Sequence, residues 1–135
     1  MRTTMIVVVA AVGFVLATVP VRAHHAFAAE FDQNKPIKVQ GAVTKWELTN
    51  PHSWIYIDVK GDDGKAVTWM IEGASPNNLY RLGLTKESLP AGTEITVEGY
   101  QAKDGSTRAV GRNILFANGK KFFLGLTEAE GAPKQ

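Results

Sequence analysis

The 135-residue chain contains no cysteine and only three histidines. The missing thiols exclude disulfide bridges, thiolate zinc sites and cysteine nucleophiles. An excess of one charge is also lacking, since 15 basic residues face 13 acidic ones. A balanced surface lacks the broad positive field that nonspecific nucleic-acid binding requires. We therefore expect no nucleic-acid partner, and any metal chemistry has to come from the histidines and the carboxylates.

Long hydrophobic runs are missing as well. The apolar run at residues 5–17 is too short to cross a bilayer comfortably, which takes about 20 residues. Arg2 precedes this run, and Pro20 and the small residue Ala23 follow it. This arrangement predicts a secretory signal peptide over residues 1–23. The alternative is an uncleaved N-terminal anchor helix.

Cleavage after Ala23 would make His24 the first residue of an exported chain, periplasmic or secreted, with no stable membrane anchor. A second A-x-A pattern permits cleavage after Ala28, which would also remove His25. The first position is favoured because it lies closer to the apolar run. Either product keeps about 110 residues, enough to bury a core without disulfides. The sequence therefore predicts a single domain.

The rest of the chain alternates β-type runs with turn signals. Asp-Gly pairs at 61–65 and 103–106 and an Asn-Gly pair at 117–121 are typical of hairpin turns. Gly41 interrupts the first run and predicts a bulge or bend. The segment SPNNLYRLG at 75–83 has the capping serine, the early proline and the final glycine of one to two helical turns. The predicted strands are residues 36–48, 54–59, 66–72, 94–100 and 108–116, and residues 121–124 could pair back.

The order of these elements predicts a mainly β fold. Three strands, one short helix and two further strands, in this order, are the elements of a small OB-like five-stranded Greek-key barrel, whose short helix lies between strands 3 and 4. The predicted signal peptide precedes this barrel. Closure would protect the sheet edges of so short a chain. An ordinary β-sandwich is the alternative. The predicted organisation is a signal peptide at 1–23, an N-terminal extension at 24–35, an OB-like barrel domain at 36–125 and a disordered tail at 126–135.

Several segments together resemble a family of small exported bacterial proteins known as a domain of unknown function. The segments are HHAFAAEFD, NPHSWIYIDV, GKAVTWMIEGASPNNLYRLG, LPAGTEITVEGYQAKDGS and NGKKFF. They span nearly all of the chain that follows the predicted signal peptide. The resemblance implies export and a single domain. It implies no activity, cofactor or substrate, so the function has to be argued from the residues.

The N-terminal histidines form the first candidate site. A free amine on His24 has an ordinary pKa of about 7.7–8.0, so the amine and the imidazole could chelate a metal. His25, or His52 from the turn after the first strand, could add a second imidazole. These nitrogens suit Cu(II) or Ni(II), and the arrangement resembles the histidine brace of some exported copper proteins in its N-terminal histidine. Oxygen ligands could come from three carboxylates: Glu30, Asp32 and Glu47.

A simpler interpretation is that the two N-terminal histidines lie on a mobile tail. His52 would then be a turn residue whose imidazole bonds to the backbone. Under this interpretation no specific metal is bound. Under the first interpretation the metal ligands are His24, His25 and His52, and the candidate cofactor is Cu(II).

The turn in ELTNPHSW is the second candidate site. In OB barrels the loop between strands 1 and 2 borders the usual binding face. An aromatic-lined face with a few polar groups can bind sugars or planar ligands. Trp46 and Trp69 are expected in the core, and a core role for Trp54 is the alternative. The predicted ligand-binding residues are Glu47, Asn50, His52 and Trp54.

Two further groups of polar residues have simple explanations. Three lie on the predicted helix: Asn77, Asn78 and Arg81. Capping explains them, together with a surface ion pair of Arg81 with Glu72 or Asp58. Three cations lie in or after the loop between the fourth and fifth strands: Lys103, Arg108 and Arg112. They could attract an anion, but solvated turn charges are the default.

The sequence therefore favours an exported small β-barrel binding module of unknown ligand, which could bind copper through its N-terminal histidines. The alternative is a structural or interaction protein of the cell envelope. It would bind a protein or a small molecule through an aromatic face, without metal. An enzyme ranks last, because no nucleophile elbow, phosphate loop or HExxH pattern occurs in the sequence.

Overall fold

A computed structural model describes residues 29–124. The predicted signal peptide, His24, His25 and the predicted tail lie outside the described residues. Within residues 29–124 the protein is mainly β, with six strands and one short α-helix. The strands are β1 (Phe31–Glu47), β2 (Ser53–Lys60), β3 (Ala66–Gly73), β4 (Glu94–Ala102), β5 (Arg108–Phe116) and β6 (Lys121–Phe123); the helices are α1 (Pro76–Arg81) and a 3₁₀ helix (Lys86–Ser88). No helix in this part of the chain is long and apolar enough to cross a bilayer.

β1 is a long strand that pairs with two different neighbours. The part before Ala42 pairs with β4 and the part after it pairs with β2, both antiparallel. Gly41 lies at this change of partner, where a Cβ would come within 2.2 Å of the backbone oxygen of Asp58. The register shift against β2 lies between Val43 and Lys45. Gly41 therefore permits a close approach of two strands, and the irregularity that we expected at Gly41 comes just after it.

The start of β1 differs from the sequence-based expectation. The strand begins at Phe31, before the predicted start at Pro36, with a register shift against β4 between these two residues. The intervening polar residues show no alternation because they are mostly exposed on both sides of the strand. The backbone N–H of Lys103 donates to the carbonyl oxygen of Glu30 over 2.9 Å. Part of the predicted N-terminal extension therefore belongs to the sheet.

The strands form one sheet in the order β3–β2–β1–β4–β5–β6. All of these neighbours pair antiparallel. In addition, β3 pairs in parallel with β5, where Met70, Ile71 and Glu72 face Arg108, Ala109 and Val110. Because β5 pairs with both β4 and β3, the pairings that lead from β3 through β2, β1, β4 and β5 end again at β3.

Alternation along the strands separates the core from the surface. In β2, Ser53, Ile55 and Ile57 are fully buried, whereas Trp54 and Tyr56 between them are half-buried. Buried residues from the other strands complete the main core. Successive side chains of a β-strand point to opposite faces of the sheet, so the alternating pattern separates the buried set from the half-buried set. The half-buried set of β2 therefore lies on the face that carries the site described below.

The helix between β3 and β4 closes part of the core. It follows Ser75 and begins at Pro76, and Leu79 is its fully buried residue. Gly83 follows the helix with φ of +87°, a left-handed conformation that glycine adopts without strain. Arg81 is exposed. The predicted helix is therefore present, and it is shorter than its sequence motif.

Candidate functional site

Four residues near the β1–β2 turn were predicted to bind a ligand: Glu47, Asn50, His52 and Trp54. Glu47 contacts Lys45 and accepts a hydrogen bond of 3.1 Å from the hydroxyl of Tyr56. The Lys45 contact lowers the pKa of the Glu47 carboxyl. Asn50 is exposed and precedes Pro51 through a cis peptide bond. Glu47 and Asn50 are therefore near the turn, but His52 and Trp54 make the contacts that define the site.

His52 contacts a buried carboxylate. Its Nδ1 donates a hydrogen bond to the carboxylate of Glu72, at the end of β3. Glu72 is only 7% exposed. Burial raises the pKa of the Glu72 carboxyl, and the neighbouring His52 and Arg108 offset part of this rise. The hydroxyl of Thr49 donates to the carbonyl oxygen of His52 over 3.0 Å, so both the backbone and the ring of this histidine are held.

Arg108 connects Glu72 to the start of β1. Its Nη2 lies 2.6 Å from Oε2 of Glu30 and 3.9 Å from Oε2 of Glu72. The guanidinium carbon lies 5.4 Å from the ring centroid of Trp54 and 5.6 Å from that of Phe31. Both distances are within cation–π range. We call His52, Glu72, Arg108 and Glu30 the carboxylate cluster.

The carboxylate cluster differs from the ion pairs that the sequence suggested. Arg81 is not the partner of Glu72, which contacts His52 and Arg108 instead. Asp58, the other proposed partner of Arg81, accepts a hydrogen bond from the hydroxyl of Thr68. The predicted ion pair is wrong because α1 turns Arg81 to solvent, whereas the β3–β5 pairing brings Arg108 beside Glu72.

One part of this cluster had a usable signal in the sequence. The turn at residues 61–65 fixes the register of the β2–β3 hairpin, and that register places Glu72 opposite Trp54. No sequence signal placed Arg108 beside Glu72. Its position depends on the parallel pairing of β3 with β5, two strands that are distant in the sequence. Sequence reasoning therefore singled out His52, but it named Glu30, Glu72 and Arg108 in other roles and missed their connection to His52.

The metal-binding capacity of the described residues is limited. Within residues 29–124, no group of three or more His, Asp or Glu side chains is arranged to hold a metal ion. His52 uses Nδ1 for Glu72, which leaves Nε2 as the nitrogen for another partner. A histidine that binds a carboxylate through one nitrogen is the usual arrangement beside a protein-bound metal. The described part of the chain thus offers one oriented imidazole.

Comparison with known proteins places the site inside a described family. The sequence model of a family of unknown function matches residues 12–112 of the chain. The matched part includes both N-terminal histidines and the whole carboxylate cluster. No curated protein and no solved structure matches the chain.

Proposed function

The chain belongs to DUF6152, a family of unknown function, and we propose that it is an exported β-barrel binding module that holds Cu(II) through His24, His25 and His52. The observation that carries this proposal is the contact between Nδ1 of His52 and the buried carboxylate of Glu72. This contact fixes the ring and leaves Nε2 for a ligand.

An OB-like Greek-key barrel is part of the proposal. Its support is the order of the elements: a β1–β2–β3 meander, then α1, then β4 and β5. The antiparallel pairings of β1 with β4 and of β4 with β5, followed by the parallel pairing of β3 with β5, are those of an OB fold. In such a barrel the turn that carries His52 borders the binding face.

Export is the second part of the proposal. The apolar run at 5–17, with Arg2 in front and Ala23 behind, supports a signal peptide over residues 1–23. Its removal in the periplasm or during secretion would leave a primary amine on His24. This amine and the imidazole of the same residue would form a chelate that suits Cu(II).

The environment of His52 suits a metal ligand. A carboxylate that accepts a hydrogen bond from one ring nitrogen makes the other nitrogen a better donor to a metal. Glu72 is held in turn by Arg108, whose Nη2 lies 3.9 Å from it. The ring orientation is therefore set before a metal arrives, which lowers the entropic cost of binding.

Glu30, near the start of the described residues, is connected to His52 through two intervening side chains. Three successive contacts join Glu30 to Arg108, Arg108 to Glu72 and Glu72 to His52. An extended chain covers at most about 3.3–3.6 Å per residue, so the segment from His25 to Glu30 can span roughly 17 Å. This reach supports the convergence of the N-terminal nitrogens on the imidazole of His52.

A copper titration tests the proposal. The chain that starts at His24 is titrated with Cu(II) against a competing chelator, and we expect one tightly bound ion per chain. His52→Ala, and separately a chain that starts at Ala29, should each lose at least about tenfold in affinity. Lys60→Ala, an exposed change at the far end of β2, is the matched control and should leave the affinity unchanged.

Two outcomes would contradict the copper site. One is equal affinity of the native chain and the His52→Ala chain, with both shown to be folded by circular dichroism. The other is equal affinity of the chains that start at His24 and at Ala29. Either result would favour the alternative, an envelope protein that binds a partner without metal through the half-buried aromatic residues Trp54 and Tyr56 of β2. Binding of an envelope partner that survives the loss of all three histidines would support that alternative.

A further inference from the structure

A second candidate site lies across β1, β4 and β5. It is an open groove with a volume of about 430 Å³. The groove shares no residue with the carboxylate cluster or with the β1–β2 turn. We call it the Arg112 groove, and the residues that matter for the argument are Pro36, Lys38, Glu98, Tyr100, Arg112 and Asn113.

A β-bulge shapes the Arg112 groove. Glu98 pairs with Asn113, whereas the next residue, Gly99, pairs with Gly111. Arg112 is therefore an extra residue in β5. It and Asn113 are consecutive and both half-buried, whereas the residues on either side of them are buried. Bulges redirect side chains and are common beside binding sites. This one places Arg112 in the groove next to Asn113, whose side-chain amide donates to Glu98 over 3.4 Å.

Positive charge exceeds negative charge around the groove. Its carboxylate, Glu98, is shared by Lys38 at 3.5 Å and Lys121 at 3.4 Å. Within residues 29–124, Arg112 has no carboxylate within 4.0 Å, and its Nη1 donates to the hydroxyl of Tyr100 over 3.2 Å. The guanidinium carbon lies 5.9 Å from the centroid of the Tyr100 ring. One hydrogen bond to a hydroxyl leaves most of the five guanidinium N–H groups for a ligand.

We propose that the Arg112 groove binds a small organic carboxylate with a flat apolar body. The guanidinium of Arg112 accepts the carboxylate in its fork, the geometry that arginine favours for this group. The ammonium group of Lys38 adds attraction from the other wall. Pro36 and the ring of Tyr100 supply the apolar surface for the body. Ligand pockets usually measure about 300–1,000 Å³, so this groove suits a ligand with one ring.

Benzoate is the probe for this site, and benzamide is its neutral counterpart of the same shape. The chain that starts at His24 is labelled with ¹⁵N and titrated with each compound, and backbone amide shifts are followed by NMR. We expect benzoate to shift the amides of β4 and β5 around Gly99 and Arg112. Benzamide should bind at least about tenfold more weakly, because it lacks the charge that the guanidinium recognises.

Three variants locate the binding. Arg112→Gln should weaken benzoate binding at least about tenfold, and Lys38→Gln should weaken it less. Arg81→Gln, which removes an exposed arginine on α1, should leave the affinity unchanged. Lys38 is 68% exposed at its side chain, so its replacement tests the site even where the change at Arg112 disturbs the bulge.

Three results would overturn the proposal. Equal shifts with benzoate and benzamide would remove the role of the carboxylate. Unchanged benzoate affinity in both Arg112→Gln and Lys38→Gln would remove the groove as the site. Inorganic phosphate that binds as tightly as benzoate would show a simple anion site without a role for the apolar walls.

Discussion

Replacement of Glu72 by glutamine is expected to change how the stability of the protein depends on pH. The carboxyl is 7% exposed, and burial raises its pKa above the ordinary value of 4.5. A group whose pKa is raised on folding gives its full contribution to stability below the unfolded pKa. That contribution is lost as the pH rises through the folded pKa. In the native protein, Glu72 therefore lowers the free energy of unfolding from about pH 4.5 upward, until the carboxyl is fully ionised.

The size of this effect follows from the change in pKa. Each unit by which folding raises the pKa removes about 1.4 kcal/mol of stability at high pH. The glutamine side chain carries no charge, and its amide oxygen can still accept the hydrogen bond from Nδ1 of His52. The free energy of unfolding of Glu72→Gln, minus that of the native protein, should therefore increase with pH above pH 4.5 and then level off.

Urea unfolding followed by tryptophan fluorescence at several pH values between 4 and 8 measures this difference. Glu87→Gln is the control with the opposite sign. A hydrogen bond from the Thr85 hydroxyl lowers the pKa of the exposed Glu87 carboxyl, so its contribution is present above the unfolded pKa and is lost as the pH falls. Glu87→Gln should therefore become less stable, relative to the native protein, as the pH rises. A difference for Glu72→Gln that stays flat or falls with pH would refute the dominance of burial at this carboxyl.

Three further changes test the packing around the site. Gly41→Ala places a Cβ 2.2 Å from a backbone oxygen of β2, and the forced shift should cost about 1–3 kcal/mol in urea unfolding; an unchanged midpoint would contradict the close approach. Leu79→Ala, at a fully buried position, should cost about 2–5 kcal/mol, whereas Leu82→Ala, at a position 44% exposed, should stay within about 0.5 kcal/mol, and equal losses would contradict the orientation of α1. Arg108→Gln removes the contacts with Trp54 and with the start of β1, so hydrogen exchange should accelerate at the start of β1 and stay unchanged in the middle of β2; equal exchange in both proteins would show that Arg108 does not hold that segment.

Local patterns were sufficient to predict most of the strands. Apolar alternation identified β2, and the turns KDGS and ANGKK on either side identified β5, so both strands were predicted to within one residue at each end. The helix followed from Ser75, Pro76 and Gly83, because these residues each favour one position at a helix end. The early start of β1 at Phe31 could not be predicted, since an exposed polar run carries no periodic signal.

The candidate site was predictable only in part. His52 could be singled out because histidines are rare in the chain, and Glu72 could have been placed from the register of its hairpin. Arg108 and Glu30 required knowledge of which distant strands pair, and this depends on packing of the whole core. The Arg112 groove depends on a bulge, a register change that a single sequence does not reveal.

Pulsed electron paramagnetic resonance of the Cu(II)-loaded chain that starts at His24 is the most direct test of the central claim that His52 is a copper ligand. We predict that the echo modulation includes the imidazole of His52, that this component disappears in His52→Ala, and that Lys60→Ala leaves the spectrum unchanged. An identical number of coordinated imidazoles in the native and His52→Ala proteins would contradict the claim.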